Sequence, residues 1–216
     1  MRVVVTGTDG RLAERLRAEG LDVLECPLVR IEAIDGPPLR ADAYDWVILT
    51  SRHGVEGLFA RLEGSLPRVA AIGPGTAEAL RSLGAEPALV ASRSTQEGLL
   101  DELPRPAGRV LFAGAEGSRD LLVRELDADF VPLYRTIELR PDSFPAGDLA
   151  VVASASAARA LAALDAEIAC VSIGPVTTAE ARKEGLEVVA EAESHDLEGL
   201  ARAVKLAASQ AGSSPS

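Results

Sequence analysis

The chain has 216 residues and a formal net charge of −11, which argues against a general nucleic-acid binder. Hydrophobic residues make up 47% of the chain but aromatic residues only 3%, so Ala, Val and Leu must fill its cores. No stretch approaches the roughly 18 apolar residues of a membrane helix, and the first apolar run is too short for a secretory signal, so we expect a cytoplasmic protein without membrane contact.

The predicted elements begin with a strand at residues 2–7, followed by a helical pattern over residues 12–20 that ends in Gly, a usual helix stop. Residues 28–34 read as an extended segment, which the breaker cluster Asp35-Gly-Pro-Pro38 closes. The apolar run Val47-Ile-Leu49 then predicts a strand buried on both faces. Strands that alternate with helices predict parallel sheets covered by helices on both sides.

Three pairs of similar segments show that the chain repeats itself, and internal repeats indicate architecture directly. Gly73 aligns with Gly174 in two Ile-Gly-Pro turns, and Ser51 aligns with Ser154 after two apolar strands. The first strand segment matches residues 109–114. With these units named A, B and C, the chain reads A, B, C, A, B, C.

The extended segments on either side of the central B-C-A block predict how the units pair, because two such segments can run antiparallel as a hinge. The first A unit must then join the last B and C units. Two simple tandem domains are the alternative. The division we predict is residues 1–30 plus 141–208 as a discontinuous domain, 38–132 as a continuous domain, 31–37 and 133–140 as linker strands, and 209–216 as a disordered tail.

The sequence contains none of the common catalytic or metal-binding motifs considered below. Cys26 and Cys170 lie far apart beside apolar residues, so we interpret them as reduced core thiols in preference to a disulfide or metal pair. The two histidines, His53 and His195, form no His-x-x-x-His spacing, and a zinc site is therefore not expected. No Walker loop or Gly-x-Ser-x-Gly elbow is present, and the turn at residues 7–10 lacks the full dinucleotide fingerprint.

Five short segments, by their order and spacing, resemble the uroporphyrinogen-III synthase family. These segments are Val47-Ile-Leu-Thr-Ser-Arg-His-Gly-Val55, Ala71-Ile-Gly-Pro-Gly-Thr76, Pro132-Leu-Tyr-Arg-Thr136, Ser172-Ile-Gly-Pro-Val-Thr-Thr178 and His195-Asp-Leu-Glu-Gly-Leu200. No segment is specific by itself. Many family members carry Thr-Arg-Pro after the first strand, where this chain has Thr6-Gly7-Thr8, so Arg11 is the candidate for the missing basic side chain.

The resemblance implies two flavodoxin-like, parallel-sheet α/β domains that are joined by a two-stranded antiparallel linker, with one domain discontinuous. It implies an enzyme that cyclises hydroxymethylbilane, a linear tetrapyrrole rich in carboxylates, to uroporphyrinogen III with loss of water and inversion of ring D. This reaction belongs to haem, sirohaem and cobalamin biosynthesis and uses no metal or organic cofactor. We expect a monomer that makes transient contact with the preceding enzyme of the pathway.

Strand-to-helix turns are the expected carboxylate sites, because ligands of open α/β folds bind at the carboxyl edges of sheets, where helix N-termini favour anions. For the Ser and Thr residues the alternative role is helix capping. Arg52 and Arg159 could screen carboxylates at the mouth of the cleft, with surface solubility as the favoured alternative. His53 could bind a carboxylate, although we expect a plain surface residue. The candidate substrate-binding residues are Arg11, Thr50, Ser51, Arg52, Gly73, Thr76, Gly114, Ser154, Ser156, Gly174 and Thr177.

Tyr134 is the candidate catalytic residue. It lies on the extended connector, where the resemblance implies a Tyr that assists departure of the substrate hydroxyl, and Val29 occupies the equivalent position of the repeat. The alternative role is an amphipathic ring packed at the domain junction. Two other functions stay open: a non-catalytic two-domain binding or sensor module for a small anionic ligand, and a pathway regulator that kept the fold without the activity.

Overall fold

The structure is a computed structural model that describes residues 1–8 and 10–211. Its strands are β1 (Arg2–Val5), β2 (Asp22–Glu25), β3 (Val29–Ala33), β4 (Leu39–Arg40), β5 (Trp46–Leu49), β6 (Leu62–Glu63), β7 (Arg68–Ala71), β8 (Leu89–Val90), β9 (Val110–Ala115), β10 (Asp129–Glu138), β11 (Leu149–Val152), β12 (Cys170–Ser172) and β13 (Val188–Glu191). Its helices are α1 (Gly10–Ala18), α2 (Arg52–Arg61), α3 (Pro74–Ser82), α4 (Gln96–Glu102), α5 (Leu121–Leu126), α6 (Ala155–Ala162), α7 (Pro175–Lys183) and α8 (Leu197–Ala211). None of the helices in these described ranges is long and apolar enough to cross a membrane.

The chain folds as two compact units. Unit 1 comprises Met1–Arg30 together with the described residues from Ile137 onward, and unit 2 comprises Ile31–Thr136. The chain therefore passes from one unit to the other twice, within β3 and within β10. The connecting segments are divided between the two units.

Unit 1 is built on a five-stranded parallel sheet with the strand order β13-β12-β11-β1-β2. Strand β1 lies between β2 and β11, and Val3 stands opposite Leu149 in the register with β11. The first strand of the chain thus completes a sheet whose partners β11, β12 and β13 come from the second half. This pairing confirms the discontinuous α/β domain that the displaced repeat predicts.

Apolar side chains alternate between the two faces of the unit 1 sheet, as a parallel sheet covered by helices requires. Val3 and Val5 pack with α1 and α8 in one core. Ala150 and Val152 pack with α6 and α7 in the core on the other face. Short aliphatic side chains fill both cores, in agreement with the low aromatic content of the sequence.

A polar trio of two buried hydroxyls and one exposed carboxylate distinguishes the second half of the repeat from the first. The hydroxyls of Ser172 and Thr178 share a hydrogen bond of 2.5 Å, and the Thr178 hydroxyl donates to the Glu191 carboxylate. Both hydroxyl residues are buried, and the trio ties α7 to the ends of β12 and β13. The equivalent positions in unit 2 hold Ala71, Ala77 and Val90.

Unit 2 contains a six-stranded sheet with the strand order β3-β10-β9-β5-β7-β8, in which all neighbours from β10 to β8 are parallel. The Ile34 N–H donates to the Leu133 carbonyl, and the Leu139 N–H donates to the Leu28 carbonyl. The two connecting segments therefore run antiparallel, as predicted for the linker. Helices α2 and α3 cover one face of this sheet, and α4 and α5 cover the other.

Helix α8 is longer than the sequence predicts. It continues to Ala211, so residues 209–211 are helical and the predicted disordered tail was wrong over these three positions. Val204 and Ala207 pack in the unit 1 core, and an Ala-rich sequence propagates the helix beyond that contact. The other residues of the predicted tail, 212–216, lie outside the described residues.

Both cysteines are free thiols in unit 1, in agreement with the reduced core thiols predicted from the sequence. Cys170 is buried in β12, and burial raises its pKa to about 11. Cys26 is half-buried after β2, and burial raises its pKa as well. The two thiols therefore differ in access and in acidity.

We predict that Cys26 reacts with a disulfide reagent such as DTNB long before Cys170 does in the native protein at pH 8. The thiolate is the reactive form, and a pKa of about 11 leaves roughly one Cys170 thiol in a thousand ionised at that pH. Cys26→Ser should abolish the fast phase and Cys170→Ser should keep it. Equal rates for both thiols in the folded protein would contradict the described packing of β12.

Candidate active site

The carboxyl ends of β5 and β9 meet near the centre of the unit 2 sheet, at the point where its strand order reverses. After β5 the chain continues through α2 to β7 on one side, and it returns to β9 on the other side. In open α/β sheets, ligands bind in the crevice outside such a switch point. Thr50 and Ser51 connect β5 to α2, so both lie at this edge of the sheet.

A bulge in β10 directs the Tyr134 side chain. In the pairing of β10 with β9, Pro132 stands opposite Gly114 and Tyr134 stands opposite Ala115, so Leu133 is an extra residue. Because of this irregularity, consecutive residues Leu133 and Tyr134 both contribute to the core beneath α2 and α3. Tyr134 is only 8% exposed. The tyrosine predicted to face the hinge therefore turns its ring into unit 2.

The Tyr134 phenol meets the Ser51 hydroxyl at an oxygen–oxygen distance of 2.7 Å. Ser51 is also the N-cap of α2, where its hydroxyl accepts a hydrogen bond of 3.0 Å from the Gly54 N–H. Burial raises the pKa of the Tyr134 phenol, and the hydrogen bond with Ser51 opposes that shift in part. The phenol is therefore protonated at neutral pH and able to donate a proton or hydrogen bond.

His53 and Glu56, on the first two turns of α2, flank this pair. The His53 ring lies against the Tyr134 ring with centroids 5.7 Å apart and planes inclined by 61°. His53 Nδ1 is 3.1 Å from the Glu56 carboxylate, and Arg52 Nε is 3.7 Å from the same carboxylate. The His53 side chain is 33% exposed, and one side of its ring packs against Tyr134.

Two glycines allow α2 to approach the sheet closely. A Cβ at Gly57 would come within 2.9 Å of the Leu133 Cβ, and a Cβ at Gly54 would lie 3.4 Å from the Ala113 carbonyl oxygen. Larger side chains at these positions would push the helix away from β9 and β10. The missing side chains therefore bring Ser51 within hydrogen-bonding distance of Tyr134.

Helices α3 and α7 start differently from α2. Gly73 and Gly174 are their N-cap residues and Pro follows each, so no side chain of the described chain caps either helix. The free N–H groups of these first turns can accept an anion. Thr76 and Thr177 lie in the same turns, each 5% exposed, with no side-chain hydrogen bond in the described parts of the chain.

Ser94 and His195 lie over these two uncapped turns at equivalent positions of the repeat. A Cβ at Gly73 would overlap the Ser94 side chain, and a Cβ at Gly174 would approach the His195 ring to 2.7 Å. Sequence analysis did not identify either residue as a binding candidate. The constant spacing that aligns Gly73 with Gly174 also aligns Ser94 with His195, and it would have identified both.

The Ser candidates of unit 1, Ser154 and Ser156, are engaged in intramolecular contacts. Ser154 caps α6 by accepting from the Ala157 N–H at 3.1 Å. Ser156 accepts from Arg159 at 3.1 Å, and Arg159 also pairs with the carboxylates of Glu138 and Glu180 at 2.9 and 3.1 Å. Arg11 is exposed in the first turn of α1, which follows β1 at the carboxyl edge of the unit 1 sheet.

The remaining candidates belong to the frame of the unit 2 site. Gly114 is buried, and a Cβ there would meet the Phe112 ring at 3.0 Å and the Ser118 hydroxyl at 3.5 Å, so its space is filled by the protein. Thr50 is half-buried beside Ser51. No group of three or more His, Cys, Asp or Glu side chains that suits a metal ion occurs within residues 1–8 and 10–211.

Comparisons with family models, curated proteins and solved structures all match uroporphyrinogen-III synthases. A family model described as "Uroporphyrinogen-III synthase HemD" matches residues 10–202. A curated protein of Methanocaldococcus jannaschii, provisionally named as a uroporphyrinogen-III synthase, is 28% identical over 151 residues. That match covers 64% of this chain and 63% of the relative, so the chain spans less than two thirds of the relative's length.

Two solved structures have a similar fold. One is a mutant uroporphyrinogen III synthase from the extremely thermophilic bacterium Thermus thermophilus, with 20% identity and a TM-score of 0.62 over 97% of this chain and 99% of that one. The other is uroporphyrinogen-III synthetase from Helicobacter pylori 26695, with 18% identity and a TM-score of 0.67 over 97% of this chain and 100% of that one. At these identities the likeness shows the fold.

Proposed function

We propose that this chain, which belongs to the uroporphyrinogen-III synthase family, acts as a cyclising lyase on a linear tetrapyrrole. Members of this family are enzymes of tetrapyrrole synthesis. The proposed substrate is hydroxymethylbilane, and the product is uroporphyrinogen III, formed with loss of water and inversion of ring D. The observation that carries the proposal is the Tyr134 phenol held 2.7 Å from the Ser51 hydroxyl at the switch point of unit 2.

Departure of the substrate hydroxyl needs only a weak acid close to the leaving oxygen. The pyrrole nitrogen pushes electrons toward the terminal carbon, so the carbon–oxygen bond breaks once the oxygen receives a proton. A phenol whose pKa is raised by burial keeps its proton at neutral pH and donates it only to a well-placed acceptor. Tyr134 is the proposed donor.

The hydrogen bonds of Ser51 favour donation from the Ser51 hydroxyl to the Tyr134 phenol oxygen. Its oxygen accepts from the Gly54 N–H, and its own proton is free to donate to the phenol oxygen. The Tyr134 proton is then available for the leaving hydroxyl. When that proton has moved, the Ser51 hydroxyl stabilises the phenolate that remains. Ser51 therefore acts through Tyr134 and is a positioning residue in this mechanism.

The proton is recovered at the end of the reaction. The departing hydroxyl and the Tyr134 proton leave as water, and the electron-poor terminal carbon is attacked by the ring D α-carbon that already carries the methylene bridge to ring C. In the resulting spiro intermediate the bond between that bridge and ring D breaks, and the bridge carbon then bonds to the unsubstituted α-carbon of ring D, which closes the macrocycle with ring D inverted. Loss of one proton from carbon restores the aromatic pyrrole, and the Tyr134 phenolate can accept it. Atoms and charges balance without a metal or organic cofactor.

The substrate carboxylates need local partners, because a protein with a net charge of −11 repels an anion at long range. We propose the uncapped first turns of α3 and α7 for this role, since their N–H groups and dipoles favour anions. Thr76 and Thr177 can add hydroxyl donors. Ser51 and Ser154 already cap α2 and α6, so those helices offer fewer free donors.

We propose a monomer whose ligand is a small molecule, with no nucleic-acid or membrane partner and with transient contact to the enzyme that supplies hydroxymethylbilane. The supplying enzyme must release this substrate in linear form, and the substrate closes without catalysis to the type I isomer. Transfer between the two proteins would limit that loss. Sedimentation of the purified chain, alone and with the supplying enzyme, tests both parts of this proposal.

Isomer analysis separates an active synthase from a binding or regulatory module of the same fold. Fresh hydroxymethylbilane is incubated with the protein, the product is oxidised, and the porphyrin isomers are separated. We expect an excess of type III isomer over a protein-free control, which gives type I. A module that only binds the substrate would slow its disappearance and leave type I as the product, and this result would contradict the proposed function.

We predict that Tyr134→Phe lowers turnover about 10- to 1,000-fold, because it removes the donor and keeps the ring. The residual product should still be type III, since ring inversion depends on how the substrate is held. Tyr44→Phe is the matched control. It removes a phenol that donates to Asp129 at 2.9 Å, before β5 and at the opposite edge of the same sheet, so its turnover should be unchanged.

Full activity of Tyr134→Phe would reject the acid role. A large loss of thermal stability along with activity would support a packing role, and Tyr44→Phe sets the scale for loss of a phenol hydroxyl from this unit.

We predict that Thr76→Ala and Thr177→Ala each weaken substrate binding modestly, by about 0.5–3 kcal/mol, because one hydroxyl donor is lost while the N–H groups remain. Binding should also weaken as salt concentration rises, since the attraction is partly between charges. Ser82→Ala is the control at the other end of α3, where the Ser82 hydroxyl donates to the Ala79 carbonyl. Salt-independent binding, with both Thr variants silent, would remove the case for these turns.

A further inference from the structure

His53 packs against the Tyr134 ring, and the proposed mechanism gives it no role. It lies on α2, two residues after the N-cap Ser51, and its ring packs against the Tyr134 ring with a centroid distance of 5.7 Å. Tyr134 itself lies on β10, in a different element. The start of α2 therefore presents a hydroxyl to the phenol oxygen and an imidazole to the phenol ring.

We propose that His53 is a positioning residue that holds the Tyr134 ring in its donating orientation, and that Glu56 in turn orients His53. This inference rests on the proposed function of Tyr134. Two contacts define the phenol: Ser51 binds its oxygen at 2.7 Å, and the imidazole closes one side of its ring. The Tyr134 ring also packs in the core beneath α2 and α3, and the inclined imidazole adds a contact from the start of α2 that limits the movement left to the ring.

Glu56 fixes the imidazole in turn. The His53 Nδ1 atom lies 3.1 Å from the Glu56 carboxylate, one turn further along α2. A carboxylate accepts hydrogen bonds, so the Nδ1 atom donates and the ring plane is set by that bond. Arg52 approaches the same carboxylate at 3.7 Å and helps to hold it in place. Arg52 thus helps to hold Glu56, Glu56 orients His53, and His53 holds the Tyr134 ring.

The covering imidazole also explains the exposure of the phenol. Tyr134 is 8% exposed although it belongs to the carboxyl edge of the sheet, while His53 carries the more exposed side chain at 33%. Burial is the main cause that raises the pKa of Tyr134. Removal of the imidazole should therefore loosen the phenol and hydrate it at the same time.

Three variants separate the packing of the ring from the chemistry of its nitrogens. His53→Ala removes the ring, and we expect kcat to fall about tenfold while KM changes less than about threefold, because orientation is lost and substrate contacts are kept. His53→Phe restores a flat ring without nitrogens and should recover most of kcat. Glu56→Gln keeps an oxygen acceptor for Nδ1, and its kcat should lie between those of His53→Ala and His53→Phe. Phe130→Ala, which removes a ring elsewhere on β10, is the matched control.

A titration of Tyr134 gives a readout that does not depend on turnover. The chain has two tyrosines, so in a Tyr44→Phe background the ultraviolet absorbance of tyrosinate reports Tyr134 alone. We expect His53→Ala to move its midpoint down toward the ordinary tyrosine value of about 10. His53→Phe should keep the midpoint raised. Circular dichroism over the same pH range checks that each variant stays folded.

An unchanged kcat or an unchanged titration midpoint in His53→Ala would overturn the inference. So would a His53→Phe variant that restores the midpoint and stays as slow as His53→Ala, because the imidazole nitrogens would then take part in the chemistry. If the wild-type chain makes no type III product, the proposed function fails by itself, and the titration still decides whether His53 holds Tyr134.

Discussion

The pairing of β1 with β11 determines how the whole chain is laid out. Val3, Val4 and Val5 are almost fully buried between β2 and β11, and the Arg2 N–H and carbonyl both bond to Asp148. Without β1, β2 and β11 would be left with unpaired edges inside a covered sheet. Because the first 30 residues are held in unit 1, the chain must leave that unit and come back. The antiparallel connecting segments follow from this requirement, and Tyr134 lies three residues before the return crossing.

The geometry around Tyr134 arises from packing rather than from a separate catalytic motif. The bulge at Leu133 directs the ring, Gly57 lets α2 approach β10, and the N-cap of α2 supplies the hydroxyl that meets the phenol. Ser51 thus satisfies a helix terminus and a neighbouring side chain with one oxygen. Residues that orient a reacting group are most effective when their own positions are fixed by such contacts. The capping and site roles considered for Ser51 from the sequence are both present in one residue.

Sequence reasoning predicted the parts of this structure that depend on local patterns. The repeat predicted that β1 joins β11, and the Gly-Pro turns predicted where α3 and α7 begin, because both follow from residue spacing and backbone preference. It could not predict the contact between Tyr134 and Ser51, which depends on an extra residue in β10 that no pattern marks. The Phe112 ring that a Cβ at Gly114 would meet is likewise a packing contact that residue spacing does not predict. The environment of His53 depends on how closely α2 packs, and the extension of α8 depends on an Ala-rich composition combined with an apolar face that the core anchors.

The polar trio of unit 1 makes the two halves of the repeated chain respond differently to the same substitution. Ser172, Thr178 and Glu191 stand where unit 2 has small apolar residues, and loss of the Thr178 hydroxyl alone would leave the buried Ser172 hydroxyl without its partner. Such an orphaned group costs about 1–3 kcal/mol, a large part of the stability of a small domain. The effect of losing the Thr178 hydroxyl therefore depends on whether Ser172 is present, so these two positions are coupled. The two halves of the repeat therefore tolerate different substitutions at these matching positions, although α3 and α7 begin at the same kind of Gly-Pro turn.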